Sequence, residues 1–84
     1  MVYKIQIKKK VIKYLETLRK KDAERIISAI QALAIEPRPT GFKKLTGEDA
    51  YRIRIGNYRV IYEILDDMLI VYILKAGPRG DVYK

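Results

Sequence analysis

Tyr3, Ile5 and Ile7 alternate with Lys4, Gln6 and Lys8, a period of two that gathers apolar side chains on one face of a strand. From Lys9 the period lengthens. Val11, Ile12, Leu15 and Leu18, then Ala23, Ile26, Ile27, Ile30, Leu33 and Ala34, recur at helical spacing and predict two amphipathic helices. Lys20-Lys21-Asp22 lies between them and holds neither glycine nor proline, but Asp22 is suited to cap the second helix, so a helical hairpin is expected over one long helix. Pro37-Arg38-Pro39-Thr40-Gly41 ends that helix, because proline disfavours helical backbone at its own position and at the one before it. A loop through Phe42, Lys43, Lys44 and Leu45 follows, with a turn at Gly47-Glu48-Asp49.

The stretch from Tyr51 to Ile64 reads as two strands joined by Gly56-Asn57, and glycine in first place suits a type II′ hairpin turn. A two-residue link determines the register, pairing Ile55 with Tyr58, Arg54 with Arg59, Ile53 with Val60, Arg52 with Ile61 and Tyr51 with Tyr62. Arg52, Arg54 and Arg59 are therefore expected on one face. Leu65-Asp66-Asp67 turns the chain into Met68–Leu74, a nearly continuous apolar run of the kind buried on both sides of a sheet. Beyond it Gly77-Pro78 is expected to turn the chain out of the last strand, with Val82 and Tyr83 either frayed or anchoring the tail so that Arg79 and Tyr83 approach the arginine face. The elements spell β-α-α-β-β-β, an α+β fold. Its small curved antiparallel sheet would carry the N-terminal helical hairpin on one face and leave the other for binding.

With 84 residues there is room for one domain, taken as residues 1–84, and 49% hydrophobic with 33% charged residues fits a folded chain. The start lacks the apolar stretch of a signal peptide, and the longest apolar run is far short of membrane-spanning length, so a cytoplasmic protein with no membrane partner is expected. Cysteine and histidine are both absent. That excludes disulfides, thiolate and imidazole metal sites and imidazole bases, and leaves only carboxylate sites for hard cations; no metal or cofactor is expected, and any catalysis must use Lys, Arg, Tyr or acids. The net charge of +8 favours polyanionic partners: RNA, DNA or a ribosome. Lys4 to Arg25 alone holds nine basic residues against three acidic ones, either a solvated helical face or a docking surface.

Arg54 opposite Arg59 is a like-charge cross-strand pair, locally unfavourable by a few tenths to about 1 kcal/mol. Two readings accommodate it: a structural network neutralised by Glu63 or another acid, or a platform on which guanidinium groups grip phosphate oxygens in pairs. On such a platform the 2′-hydroxyl of an RNA attacks the adjacent phosphate. That step needs a group to take the hydroxyl proton, cations for the developing charge and a proton for the departing 5′-oxygen. Tyrosine serves as a base only where cations stabilise its phenolate, and arginine, always protonated, chiefly stabilises charge.

Lys44-Leu45, the strand Tyr51-Arg52-Ile53-Arg54, the run Tyr58-Arg59-Val60-Ile61-Tyr62-Glu63 and the ending Pro78-Arg79-Gly80-Asp81-Val82-Tyr83 together resemble the RelE branch of the RelE/ParE toxin superfamily over nearly the whole length. The resemblance implies the toxin of a type II toxin–antitoxin system: a metal-independent endoribonuclease, or mRNA interferase. Such a toxin enters the ribosomal A site, cleaves mRNA there to inhibit translation, and is neutralised by a RelB-like antitoxin. It also implies roles. Arg52 and Arg54 match two basic residues that contact substrate and activate the nucleophile, and Arg59 an arginine that binds the scissile phosphate. Arg79 matches an arginine assigned to charge stabilisation or leaving-group protonation, and Tyr83 a tyrosine proposed as base. The chain departs from well-studied members in having arginine where they have lysine at positions 52 and 54, and Pro78 where many have histidine, a form shared with an archaeal subgroup. The alternatives on this scaffold are a ParE-like poison of DNA gyrase and a catalytically silent RNA- or antitoxin-binding module.

Overall fold

In the computed structural model of the chain, which describes residues 2–78, the elements run β1 (Lys4–Ile7), α1 (Lys9–Glu16), α2 (Lys20–Ala32), β2 (Lys43–Lys44), β3 (Tyr51–Ile55), β4 (Tyr58–Leu65), a 3-10 turn (Asp66–Met68) and β5 (Ile70–Pro78). The strands make one sheet in the order β1-β5-β4-β3-β2. As expected, β3, β4 and β5 form an antiparallel meander and both helices lie on one face. The sheet is mixed rather than wholly antiparallel, because β1 joins β5 in parallel, Lys4 opposite Ile70 through Ile7 opposite Ile73. The helical hairpin carries the chain from β1 across to the far edge, and the meander then walks back strand by strand until β5 lies beside β1. The loop after the second helix also contributes more than expected: Lys43 and Lys44 form an edge strand against Arg52 and Tyr51.

The core lies between the helices and the sheet. Val11 and Leu15 from α1, Ile26 and Ile30 from α2, and Leu33 pack against Ile53, Val60, Tyr62, Val71 and Ile73. Ile12 and Ile27 remain exposed although they belong to the apolar pattern. Successive helical residues lie about 100° apart, so only one member of each adjacent pair, Val11 or Ile12 and Ile26 or Ile27, can face the sheet squarely.

Three local expectations are corrected. The break between helices falls at Thr17–Arg19. Thr17 Oγ1 donates to the Tyr14 carbonyl at 2.6 Å, so it is the end of α1 that is tied off by a side chain. Lys20, Lys21 and Asp22 are the first turn of α2, which has no side-chain cap, and Asp22 instead accepts from the Tyr58 hydroxyl at 3.0 Å. Gly77 and Pro78 do not turn out of the sheet but continue β5, paired with Arg59 and Tyr58. Because β1 reaches only as far as Ile73, the stretch 74–78 is a sheet edge, where a proline without an N–H is tolerated. Finally, β5 starts at Ile70, and Met68 is an exposed residue of the 3-10 turn. Ile70, Val71 and Ile73 are buried, as the apolar run implies.

Candidate nucleic-acid interface

Gly56 has φ +59°, while Asn57 is not among the residues with positive φ, the combination of a type II′ turn and not of type I′. The register that follows is the expected one in all five pairs, from Tyr51 with Tyr62 to Ile55 with Tyr58. Residues opposite one another in a sheet share a face and alternate residues repeat it. Ile53, Val60 and Tyr62 face the helices, so Arg52, Arg54 and Arg59 are together on the opposite side. Arg52 and Arg59 are sunk into the protein at 4% and 9% exposure, with the Nε of each shut off from solvent, whereas Arg54 is exposed. Arg52 and Arg54 also line a cleft of about 320 Å³ with Thr40, Gly41, Lys43 and Ile53.

This face is not bare, as a helix-free face would suggest. Leu45, Ala50 and Ile61 form a second, smaller buried cluster against which Leu74 packs. Leu45 N–H donates to the Ala50 carbonyl at 2.9 Å, closing the 45–50 loop over the end of the face beyond Arg52. The cations thus stand beside an apolar floor, where their attraction for an anion is less screened than in open water. Sequence reading missed both this floor and the lysines beside the arginines, Lys43 and Lys75. The first depends on a loop fold, and the second on a strand of only two residues and on a bulge, none of which leaves a periodic signal.

Tyr3, Tyr58 and Tyr62 are poor bases. Tyr58 donates to Asp22 and Tyr3 donates to Asp66 at 2.6 Å, and each carboxylate raises the pKa of the phenol it accepts from. Tyr62 donates to the Pro37 carbonyl at 2.8 Å, and burial pushes its phenol up to about 12. A proton acceptor for a 2′-hydroxyl is not to be sought among these three. Arg79 and Tyr83, the remaining expected site residues, lie outside the described residues; the described chain stops at Pro78, opposite Tyr58 and next to the row of Arg59.

A family model for the ParE toxin of type II toxin–antitoxin systems matches residues 5–83. A Methanocaldococcus jannaschii protein assigned as toxin RelE1 is 35% identical over 100% of this chain and 98% of its own length. Among solved structures, the archaeal RelE–RelB complex from Pyrococcus horikoshii superimposes with a TM-score of 0.86 at 38% identity, covering 96% of this chain and 99% of that one. The RelBE2 toxin–antitoxin complex from Mycobacterium tuberculosis gives 0.82 at 26% identity, over 94% of this chain and 100% of that one. The class defined by this fold is that of the small toxins of type II toxin–antitoxin systems. Within that class the chain belongs to the ParE/RelE toxin family, on its RelE branch.

Proposed function

We propose that this toxin is a ribosome-dependent endoribonuclease that cleaves mRNA in the ribosomal A site and is neutralised by a RelB-like antitoxin. The observation that supports cleavage over mere fold likeness is the convergence of Arg52, Arg54 and Arg59 on one face through the Gly56-Asn57 register. In this reading Arg59, sunk in the face, holds the scissile phosphate, and Arg52 and Arg54 hold its neighbourhood and the developing negative charge. The 2′-oxygen forms a bond to phosphorus, the bond from phosphorus to the 5′-oxygen breaks, and a 2′,3′-cyclic phosphate and a 5′-hydroxyl result. Tyr83, as a phenolate stabilised by the neighbouring arginines, takes the 2′-hydroxyl proton; Arg79, next in the chain after Pro78, stabilises the charge on the leaving oxygen, which takes its proton from water. A site of this kind has no neutral-pH imidazole base, so it depends on the ribosome to orient its substrate. The same reading makes residues 1–84 one toxin domain that works in the cytoplasm. Among the described residues no helix is long and apolar enough to cross a membrane. RelB accompanies RelE in the P. horikoshii complex, and an antitoxin of that type fits the exposed Ile12 and Ile27 on the outer helical faces.

The test is induction without antitoxin and mapping of message ends on ribosomes. New ends are expected with the native chain. Arg54→Ala and Arg79→Ala are each expected to reduce them by about 100-fold or more, the scale of losing one charge-stabilising donor. If the native chain yields no new ends, the nuclease reading fails; inhibited gyrase supercoiling by the purified protein would then favour the alternative of a ParE-like gyrase poison. Ends that persist in either variant would remove that arginine from the site.

A further inference from the structure

Directly opposite one another on four neighbouring strands stand Lys43, Arg52, Ile61 and Lys75. Strands lie about 4.8 Å apart, so this row crosses roughly 14 Å of the face, perpendicular to the strands. The adjoining row is Arg54, Arg59 and Gly77. Lys75 reaches the row only because of an irregularity. Between Ile61 and Tyr62 the register with β5 slips by one, Tyr62 facing Ile73 and Ile61 facing Lys75, with Leu74 as the extra residue. In an unbroken ladder Leu74 would face Ile61 and Lys75 would face Val60, which is wholly buried under the helices. The bulge instead presents Lys75 on the arginine side and lets the small Ala76 stand opposite Val60 against the core. Both lysines are exposed, and among the described residues neither takes an ion pair.

We propose that Lys43 and Lys75 are the outer phosphate-holding residues of this interface, so that single-stranded RNA lies across the strands. Its reacting phosphate sits at Arg52, Arg54 and Arg59, and the phosphates on either side sit over the two lysines. This rests on the reading of the face as an RNA site but not on cleavage. A lysine tip is a compact charge on a flexible stem, suited to a flanking phosphate that must be held without being forced into one geometry. Between the two lysines, Ile61 of the row belongs to the apolar cluster with Leu45 and Ala50, against which Leu74 packs.

The experiment uses the purified chain and a short oligouridine with 2′-O-methyl groups, which binds but cannot be cut, titrated from about 50 to about 200 mM salt. Each phosphate contact on a single strand contributes about 0.7 to the slope of log affinity against log salt. Lys43→Gln and Lys75→Gln are each expected to lower the slope by that amount, and Lys21→Gln, at the start of α2, to leave it unchanged. In oligomers carrying one neutral methylphosphonate, the effect of Lys43→Gln should vanish when the phosphate on one side of the centre is neutralised, and that of Lys75→Gln when the one on the other side is. Unchanged urea midpoints verify folding, as both positions are exposed. The proposal is overturned if both variants keep the slope of the native chain, if the native chain binds without salt dependence, or if neutralising one phosphate silences both lysines. Reduced slopes in a chain that makes no new ends on ribosomes would keep this path and refute the nuclease reading. New ends with unaltered slopes would do the reverse.

Discussion

Tyr62 combines two roles in one side chain: its ring lies in the core beside Tyr51, and its hydroxyl crosses to the carbonyl of Pro37 in the segment that follows α2. Tyr62→Phe keeps the ring and leaves that carbonyl without the bond, which is expected to lower the unfolding free energy at neutral pH by about 1 kcal/mol. The burial of this hydroxyl also carries a pH signature. The folded phenol is pushed up to about 12 from 10.0, so the stabilisation from retaining its proton is complete below the unfolded value and is lost as pH rises through the folded one. Urea unfolding across that window should show the advantage of the native chain over Tyr62→Phe shrinking; a constant difference would refute the role of burial. At this same scale, sequence placed Arg52, Arg54 and Arg59 together because a two-residue turn leaves no freedom of register. It could not indicate that Arg52 and Arg59 are sunk while Arg54 is exposed, since depth depends on how the 45–50 loop and neighbouring strands close around them.

At the scale of elements, the hairpin turn and the N-terminal staple are the parts most sensitive to single changes. Gly56 occupies left-handed backbone at φ +59°, and the Arg25 guanidinium lies 2.8 Å from where a Cβ would stand. Gly56→Ala is therefore expected to cost roughly 1–2 kcal/mol for the backbone alone, seen as a lower urea midpoint at unchanged m. At the other end of the molecule Asp66 accepts from the Arg38 guanidinium at 2.9 Å and from the Tyr3 hydroxyl, tying together the strand entry, the exit from α2 and the 3-10 turn. Arg38 first, then Tyr3, hold its carboxyl below the usual range. A depressed carboxylate stabilises above the unfolded value, 3.8, and that contribution is lost as pH falls through the folded one. Native protein should thus lose stability on acidification more steeply than Asp66→Asn, read from urea midpoints between about pH 6 and about pH 2.5; parallel curves would show that the staple contributes nothing. Helices and long strands were legible because their periods are carried by many residues. The helix break and the fate of Gly77-Pro78 were not: each turns on one or two residues whose local preference yielded to tertiary partners, Tyr58 for Asp22 and the start of β4 for Pro78.

For the whole molecule the governing quantity is charge. Eighteen basic against ten acidic residues give +8 on 84 residues, and a compact body bearing that excess repels itself. Added salt shortens the screening length from roughly 30 Å at 0.01 M to roughly 8 Å at 0.15 M. The melting temperature of the isolated toxin is expected to rise over that range; a fall would mean that ion pairs such as Arg38–Asp66 outweigh the repulsion. The same excess suits a partner that supplies negative charge, whether a nucleic acid strand or an acidic antitoxin segment.

Local information in the chain was enough to specify two helices, a meander of three strands and a shared side for three guanidinium groups, because periodicity and a two-residue link act over neighbours in sequence. The parallel docking of β1 on β5, the two-residue edge strand, the apolar floor beside the arginines and the bulge that brings Lys75 round to them were decided by packing in three dimensions. Each of these joins residues far apart along the chain, and only the competition among close-packed neighbours selects one pairing from the several that the local pattern permits.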